Sequence, residues 1–114
     1  MNKWSDYSIL KEVPNSCPGH LHRITCKELT FYGFPNQPDF VTVTIEIIPT
    51  GTTIELKSLK LYLLQFRDKH MSYERILNTI YEDLRYYYNT QQLRIILETQ
   101  PRGGISSILE VGKI

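Results

Sequence analysis

Glu55-Leu56-Lys57-Ser58-Leu59-Lys60-Leu61-Tyr62 is the stretch on which the fold is read. An apolar run at 41–48 and a Pro49-Thr50-Gly51 turn precede it, and a helical pattern follows. Leu59, Tyr62, Leu63 and Phe66 fall at i, i+3, i+4 and i+7, one face of a helix. The Ser58 hydroxyl suits the cap of that helix, whose first N–H groups have no partner of their own. On this reading Glu55 and Leu56 end a strand, and Lys57 and Lys60 lie at the helix entrance. A carboxylate and two ammonium groups at a helix N-terminus suit an anion or nucleotide. The same residues equally describe a solvated helix end.

Working outward, Phe40-Val41-Thr42-Val43-Thr44-Ile45-Glu46-Ile47 alternates apolar and polar, as a strand with one buried face does. Turn residues fill 48–52, and 53–57 reads as the returning strand of a hairpin. The first helix is expected over 58–68. A second begins at Ser72, a good cap, and keeps Ile76, Leu77, Ile80, Tyr81, Leu84 and Tyr88 in helical period to a stop at 89–91. Glu74 lies in its first turn, where a carboxylate complements the helix dipole. A strand over 93–99, a turn at Pro101-Arg102-Gly103-Gly104 and a last strand over 105–111 complete the series. Upstream, 21–26 reads as a short strand and 28–38 as a loop. Residues 1–20 form an irregular arm and 21–114 the domain. His20 and His22 share a face of the short strand, but no third ligand is evident, so no metal site is expected. The order hairpin, helices, hairpin gives an α+β fold: a four-stranded antiparallel sheet with both helices on one face. Its open edges, with Tyr86-Tyr87-Tyr88 near the end of the second helix, point to a homo-oligomer.

The totals narrow the function. A chain of 114 residues fits one domain. A net charge of +1 creates no field that gathers nucleic acid or an anionic membrane. No apolar run reaches membrane-spanning length, and Met1-Asn2-Lys3-Trp4-Ser5-Asp6 has no apolar signal core. Cys17 and Cys26 lack metal-ligand spacing, so a cytoplasmic chain with reduced thiols is expected.

This element order is that of the tunnelling fold (T-fold, ββααββ). Over about residues 21–111 the sequence resembles one branch, the single-domain NADPH-dependent 7-cyano-7-deazaguanine reductases of QueF type. Residues 55–62 match the family signature at every position. Gln37-Pro38-Asp39-Phe40, Phe66-Arg67-Asp68, Glu74 and Pro101-Arg102-Gly103-Gly104-Ile105-Ser106 match further. The resemblance implies reduction of a nitrile to a primary amine in queuosine synthesis for tRNA, with NADPH as cofactor. It assigns Glu74, Glu55 and Leu56 to a purine-like base, a 7-deazaguanine or a pterin, at a site between subunits. A carboxylate suits adjacent N–H donors because it offers two acceptors. Lys57, Lys60 and Arg102 are assigned to the dinucleotide, and Asp39 to proton transfer.

Two family groups are replaced. The cysteine whose thiolate attacks the nitrile is Tyr32 in ungapped alignment, or Gly33 with one deletion. The histidine before the base-binding glutamate is Tyr73. Glycine has no side chain, and a phenol with a pKa of about 10 is a poor nucleophile and a poor relay near neutrality. The expectation is a base-binding member without covalent nitrile reduction. The alternatives are a reductase whose nucleophile has moved to Cys26 or Cys17, and a structural paralogue with a tyrosine in the old pocket.

Overall fold

A computed structural model describes residues 4–33 and 37–114. The sequence readings that touch 1–3 and 34–36 lie outside the described residues.

Strand β3 (Gln37–Ile47) is the centre of the sheet's core face. Its alternation buries Asp39, Val41, Val43, Ile45 and Ile47 on one side. Strand β2 (His22–Gly33) pairs antiparallel with it, Ile24 opposite Ile45 and Phe31 opposite Asp39. On the other side β5 (Leu93–Thr99) pairs with β3, and β6 (Ile108–Lys113) pairs with β5. The order is β2-β3-β5-β6, antiparallel throughout. Helices α1 (Leu56–Leu64) and α2 (Tyr73–Tyr88) cover the apolar face with Leu59, Leu63, Ile76, Ile80 and Leu84. Each such side chain stabilises the fold by about 1.5–3 kcal/mol when fully buried. On the opposite face Glu46 is buried between Arg23 and Arg94, each 2.6 Å away. The hydrogen bond from Arg23, then Arg94, holds its carboxyl below the usual range despite burial.

The α+β class, the antiparallel sheet and the two helices match expectation, but α1 ends at Leu64 rather than at 68, and four other boundaries also differ. First, most of the loop read at 28–38 is strand: β2 runs on to Gly33 through a register shift between Cys26 and Leu29. Lys27-Glu28 breaks the alternation, which Leu29 and Phe31 then resume, so a bulge resembles a strand end in the sequence. Second, 53–57 does not return along β3. Strand β4 (Thr52–Ile54) pairs instead with β1 (Glu12–Pro14), and Asn15 fastens the turn by donating to the Thr50 carbonyl at 2.7 Å. Third, Glu55 rather than Ser58 caps α1, its Oε1 accepting the Ser58 N–H at 2.7 Å. Leu56 and Lys57 therefore belong to the first helical turn. Fourth, β6 starts at Ile108, because Ile105 closes the turn by exchanging backbone hydrogen bonds with Arg102 at 2.8 and 3.0 Å. Ser72 caps α2 as expected, and Asn89, left-handed at φ 50°, ends it.

Residues 4–15 lie across the helices and include a 3-10 turn over Tyr7–Ile9. Asp83 of α2 is buried and accepts hydrogen bonds from Ser5 and, at 2.5 Å, from the Tyr62 hydroxyl of α1. Burial first, and Asp83 second, push the Tyr62 phenol well up from 10.0. Removing one donor from a buried carboxylate costs about 1–3 kcal/mol. Tyr62→Phe is therefore expected to lower the unfolding free energy by about that amount in chemical denaturation, with the fold retained.

Candidate functional site

Strand alternation decides which residue stands beside Asp39. Phe31 lies directly opposite Asp39, and Gly33 shares the buried face of Phe31. Tyr32 alternates away, and its ring stacks on His70 at 5.1 Å with planes 20° apart. Its backbone is fixed there, donating to the Lys69 carbonyl and accepting from the Met71 N–H, both at 2.9 Å. A Cβ on Gly33 would overlap the Asp39 carboxylate. The glycine is required by space, since its φ is not positive.

Asp39 is 5% exposed. Its Oδ1 accepts from the Tyr73 hydroxyl at 3.0 Å and pairs with the Arg102 guanidinium at 2.9 Å. Arg102 also donates to Gln37 Oε1 at 2.8 Å and to the Pro38 carbonyl at 3.1 Å. Gly103 and Gly104, at φ 57° and 80°, supply the left-handed pair that turns the chain so that Arg102 faces β3. The Tyr73 ring packs edge-on against Phe31 at 5.8 Å. Burial raises the Tyr73 phenol above 10.0, the hydrogen bond to Asp39 and its charge add to this, and Arg102 opposes it. Asp39, Tyr73, Arg102 and Gly33, each singled out in the sequence, thus form one cluster. Glu74 follows Tyr73 at the head of α2 and is exposed.

Glu55, Leu56 and Lys57 lie elsewhere. The Glu55 N–H donates to the Lys11 carbonyl at 3.2 Å, and the hydroxyl of Tyr88, at the far end of α2, donates to the same oxygen at 2.6 Å. At 1.5 Å per residue, Tyr73 and Tyr88 are about 22 Å apart along the helix. Hydrogen bonds from Ser58 hold the Glu55 carboxyl below its ordinary range, with Lys11 and Lys57 assisting. Leu56 and Lys60 border a cavity of about 640 Å³ between α1 and β2, with Leu59 and Leu63 in its walls and Lys27 and Arg67 among its cations.

Cys26 also borders this cavity, opposite Val43. Val43 is four residues along β3 from Asp39, or roughly 13 Å at strand rise. Cys17 precedes β2 still farther along. Within the protomer neither thiol stands at Asp39. His20 and His22 have ring centroids 6.2 Å apart.

A family model described as "QueF-like protein" matches residues 38–113, two thirds of the sequence. The chain belongs to the QueF-like family. The NADPH-dependent 7-cyano-7-deazaguanine reductase of Chlorobium phaeobacteroides is 36% identical over 106 residues, 90% of this chain and 91% of that protein. The protein of the same name from Synechocystis sp. is 35% identical over 101 residues, covering 86% and 74%. That from Wolinella succinogenes is 39% identical over 74 residues, 65% of this QueF-like chain but only 60% of the relative's length.

Two contacts made by the candidate residues escaped the sequence reading. His70 backs Tyr32 with no spacing signal to announce it. The Lys11 peptide, which holds Glu55, is invisible because a backbone group carries no sequence signature.

The raised Tyr73 phenol has a checkable consequence. Its folded pKa lies above the unfolded value of about 10, so the neutral phenol favours folding below pH 10, and that contribution is lost as pH rises through the folded value. Asp39→Asn removes the charge component and leaves burial. Tyrosine-selective NMR titration, with Tyr73→Phe for assignment, is expected to show Tyr73 ionising at lower pH in Asp39→Asn than in wild type, still above 10.

Proposed function

We propose that this chain binds a purine-like base of the 7-deazaguanine class at the head of α2 and serves the queuosine branch of tRNA modification without forming a covalent bond to the base. The observation that carries the proposal is the Asp39–Tyr73–Arg102 cluster beside Glu74, with neither thiol at hand. Glu74 offers two acceptor oxygens to the N–H edge of the base. Asp39 pairs with Arg102 and orients the Tyr73 hydroxyl. Names of the relatives supply the substrate class, 7-cyano-7-deazaguanine, and the cofactor, NADPH.

The residues present fit that dinucleotide. Lys57 and Lys60 are exposed cations on the first turns of α1, and the adjoining cavity has apolar walls and further cations at Lys27 and Arg67. Lys57 and Lys60 would hold the phosphates, and the bound group would supply a hydride. Glu55 and Leu56 lie at the same end of α1, which supports their service to the same ligand pair. Base and dinucleotide sites lie apart in one protomer, so the proposal includes a homo-oligomer that brings them together, through the open edges β2 and β6. We place the assembly in the cytoplasm.

One observation favours a second reading. The Tyr73 phenol lies on Asp39 and against Phe31, where a relay residue would stand, as expected of a non-catalytic subunit.

Calorimetric titration with 7-cyano-7-deazaguanine separates the two. Binding is expected, weakened about tenfold or more in Glu74→Gln, because a charge-assisted hydrogen bond contributes about 1.5–3 kcal/mol. Incubation with base and NADPH is expected to yield no amine. Steady NADPH oxidation with amine product would overturn the non-covalent reading, and a base that fails to bind at all would favour the structural subunit.

A further inference from the structure

We infer that residues 4–14 act as a strap that positions the Glu55–Ser58 turn, with the backbone N–H and C=O of Lys11 as its clamp. The consequence for ligand binding rests on the dinucleotide reading given above.

The clamp is the backbone of a single residue, whose N–H and C=O make three bonds. The Lys11 N–H donates to Ser58 Oγ at 2.9 Å. The Lys11 carbonyl accepts from the Glu55 N–H at 3.2 Å and from the Tyr88 hydroxyl at 2.6 Å. Ser58 and Tyr88 are 3% and 1% exposed, so water cannot readily replace these partners. Ser58 in turn donates to the Glu55 carbonyl at 2.8 Å, and Glu55 caps Ser58. Two groups that set the first turn of α1, the Ser58 hydroxyl and the Glu55 N–H, are therefore tied directly to Lys11.

Both sides of the strap are fastened. Leu10, 1% exposed, is in the core beside the clamp. Upstream, Asp6 and Gln65 exchange hydrogen bonds at 2.7 and 3.1 Å, and the Trp4 carbonyl accepts from Lys69 Nζ at 2.8 Å. Arg75 lies over the Trp4 ring at 4.9 Å. Downstream, β1 pairs with β4, the strand that delivers the chain to Glu55. Gln65 follows the last turn of α1, so the strap spans that helix from end to end. A helix fixed at both ends keeps Lys57 and Lys60 at constant spacing from the cavity they flank.

The test uses the full chain with Tyr88→Phe, which removes one bond to the Lys11 carbonyl and retains the ring. Hydrogen–deuterium exchange of the Glu55 and Ser58 amides is expected to rise about tenfold, while β5 amides keep wild-type rates. NADPH affinity, followed by nicotinamide fluorescence, is expected to fall at least fivefold, whereas Tyr87→Phe leaves both readouts unchanged. If Tyr88→Phe speeds exchange everywhere, Gln65→Ala supplies the second variant, and the same pattern confined to 55–58 is expected from it. Unchanged exchange at Glu55 and Ser58 in both variants would overturn the strap. Faster exchange there with unchanged NADPH affinity would overturn its positioning role. If wild type binds no NADPH, the dinucleotide reading falls, and exchange alone decides the strap.

Discussion

Asp39 is a carboxylate taken almost wholly out of water, and much of the lower half of the molecule is arranged to keep it there. Removing an ionised carboxylate from water costs several kcal/mol, and breaking such a pair leaves that cost uncovered. Here Arg102 and Tyr73 offset it, the one from the turn between β5 and β6, the other from the head of α2. The Arg102 side chain is 44% exposed, so solvent weakens the attraction, and the Tyr73 hydrogen bond matters correspondingly more. One charge thus ties together the start of β3, the last hairpin turn and the second helix. Gly33 leaves room for this arrangement, because a larger residue there would require the Asp39 carboxylate to shift.

That arrangement bears on chemistry. A side chain meant to attack a ligand above Asp39 must leave β2 on the inner face, which position 33 does and position 32 does not. Position 33 is the glycine, and the carboxylate has taken the space. The cluster of Asp39, Tyr73, Arg102 and Gly33 contains no thiol. Positions 33 and 73 meet the two different oxygens of one carboxylate: the Tyr73 hydroxyl donates to Oδ1, and Oδ2 fills the space beside Gly33.

The fold was legible where one signal acts alone. Alternation in β3, the period of α2 and the Ser72 cap need only local sequence, and they came out right. The errors fall where a distant partner overrides a local pattern. Thr52-Thr53-Ile54 is a strand in either reading, but residues 12–14 claim its edge, and no local signal in 52–54 says so. Glu55 and Ser58 are both competent caps, and Lys11 decides between them by occupying the serine hydroxyl. At the site, Asp39, Tyr73, Gly33 and Arg102 were each readable through the family resemblance. Their contact was not, because it depends on the β2–β3 register and on a bulge at 27–28 that resembles a loop.

The length of α2 sets a condition on any hydride chemistry. Reacting atoms must come within about 3–3.5 Å. Glu74 stands at one end of the helix, and Glu55 and Lys57 lie by the other, about 22 Å away along its axis. No small base bridges that span. Either the two groups serve unrelated ligands or they meet across two copies. The open edges at β2 and β6 make the second arrangement physically available, since a strand edge with unpaired backbone groups is satisfied by another chain.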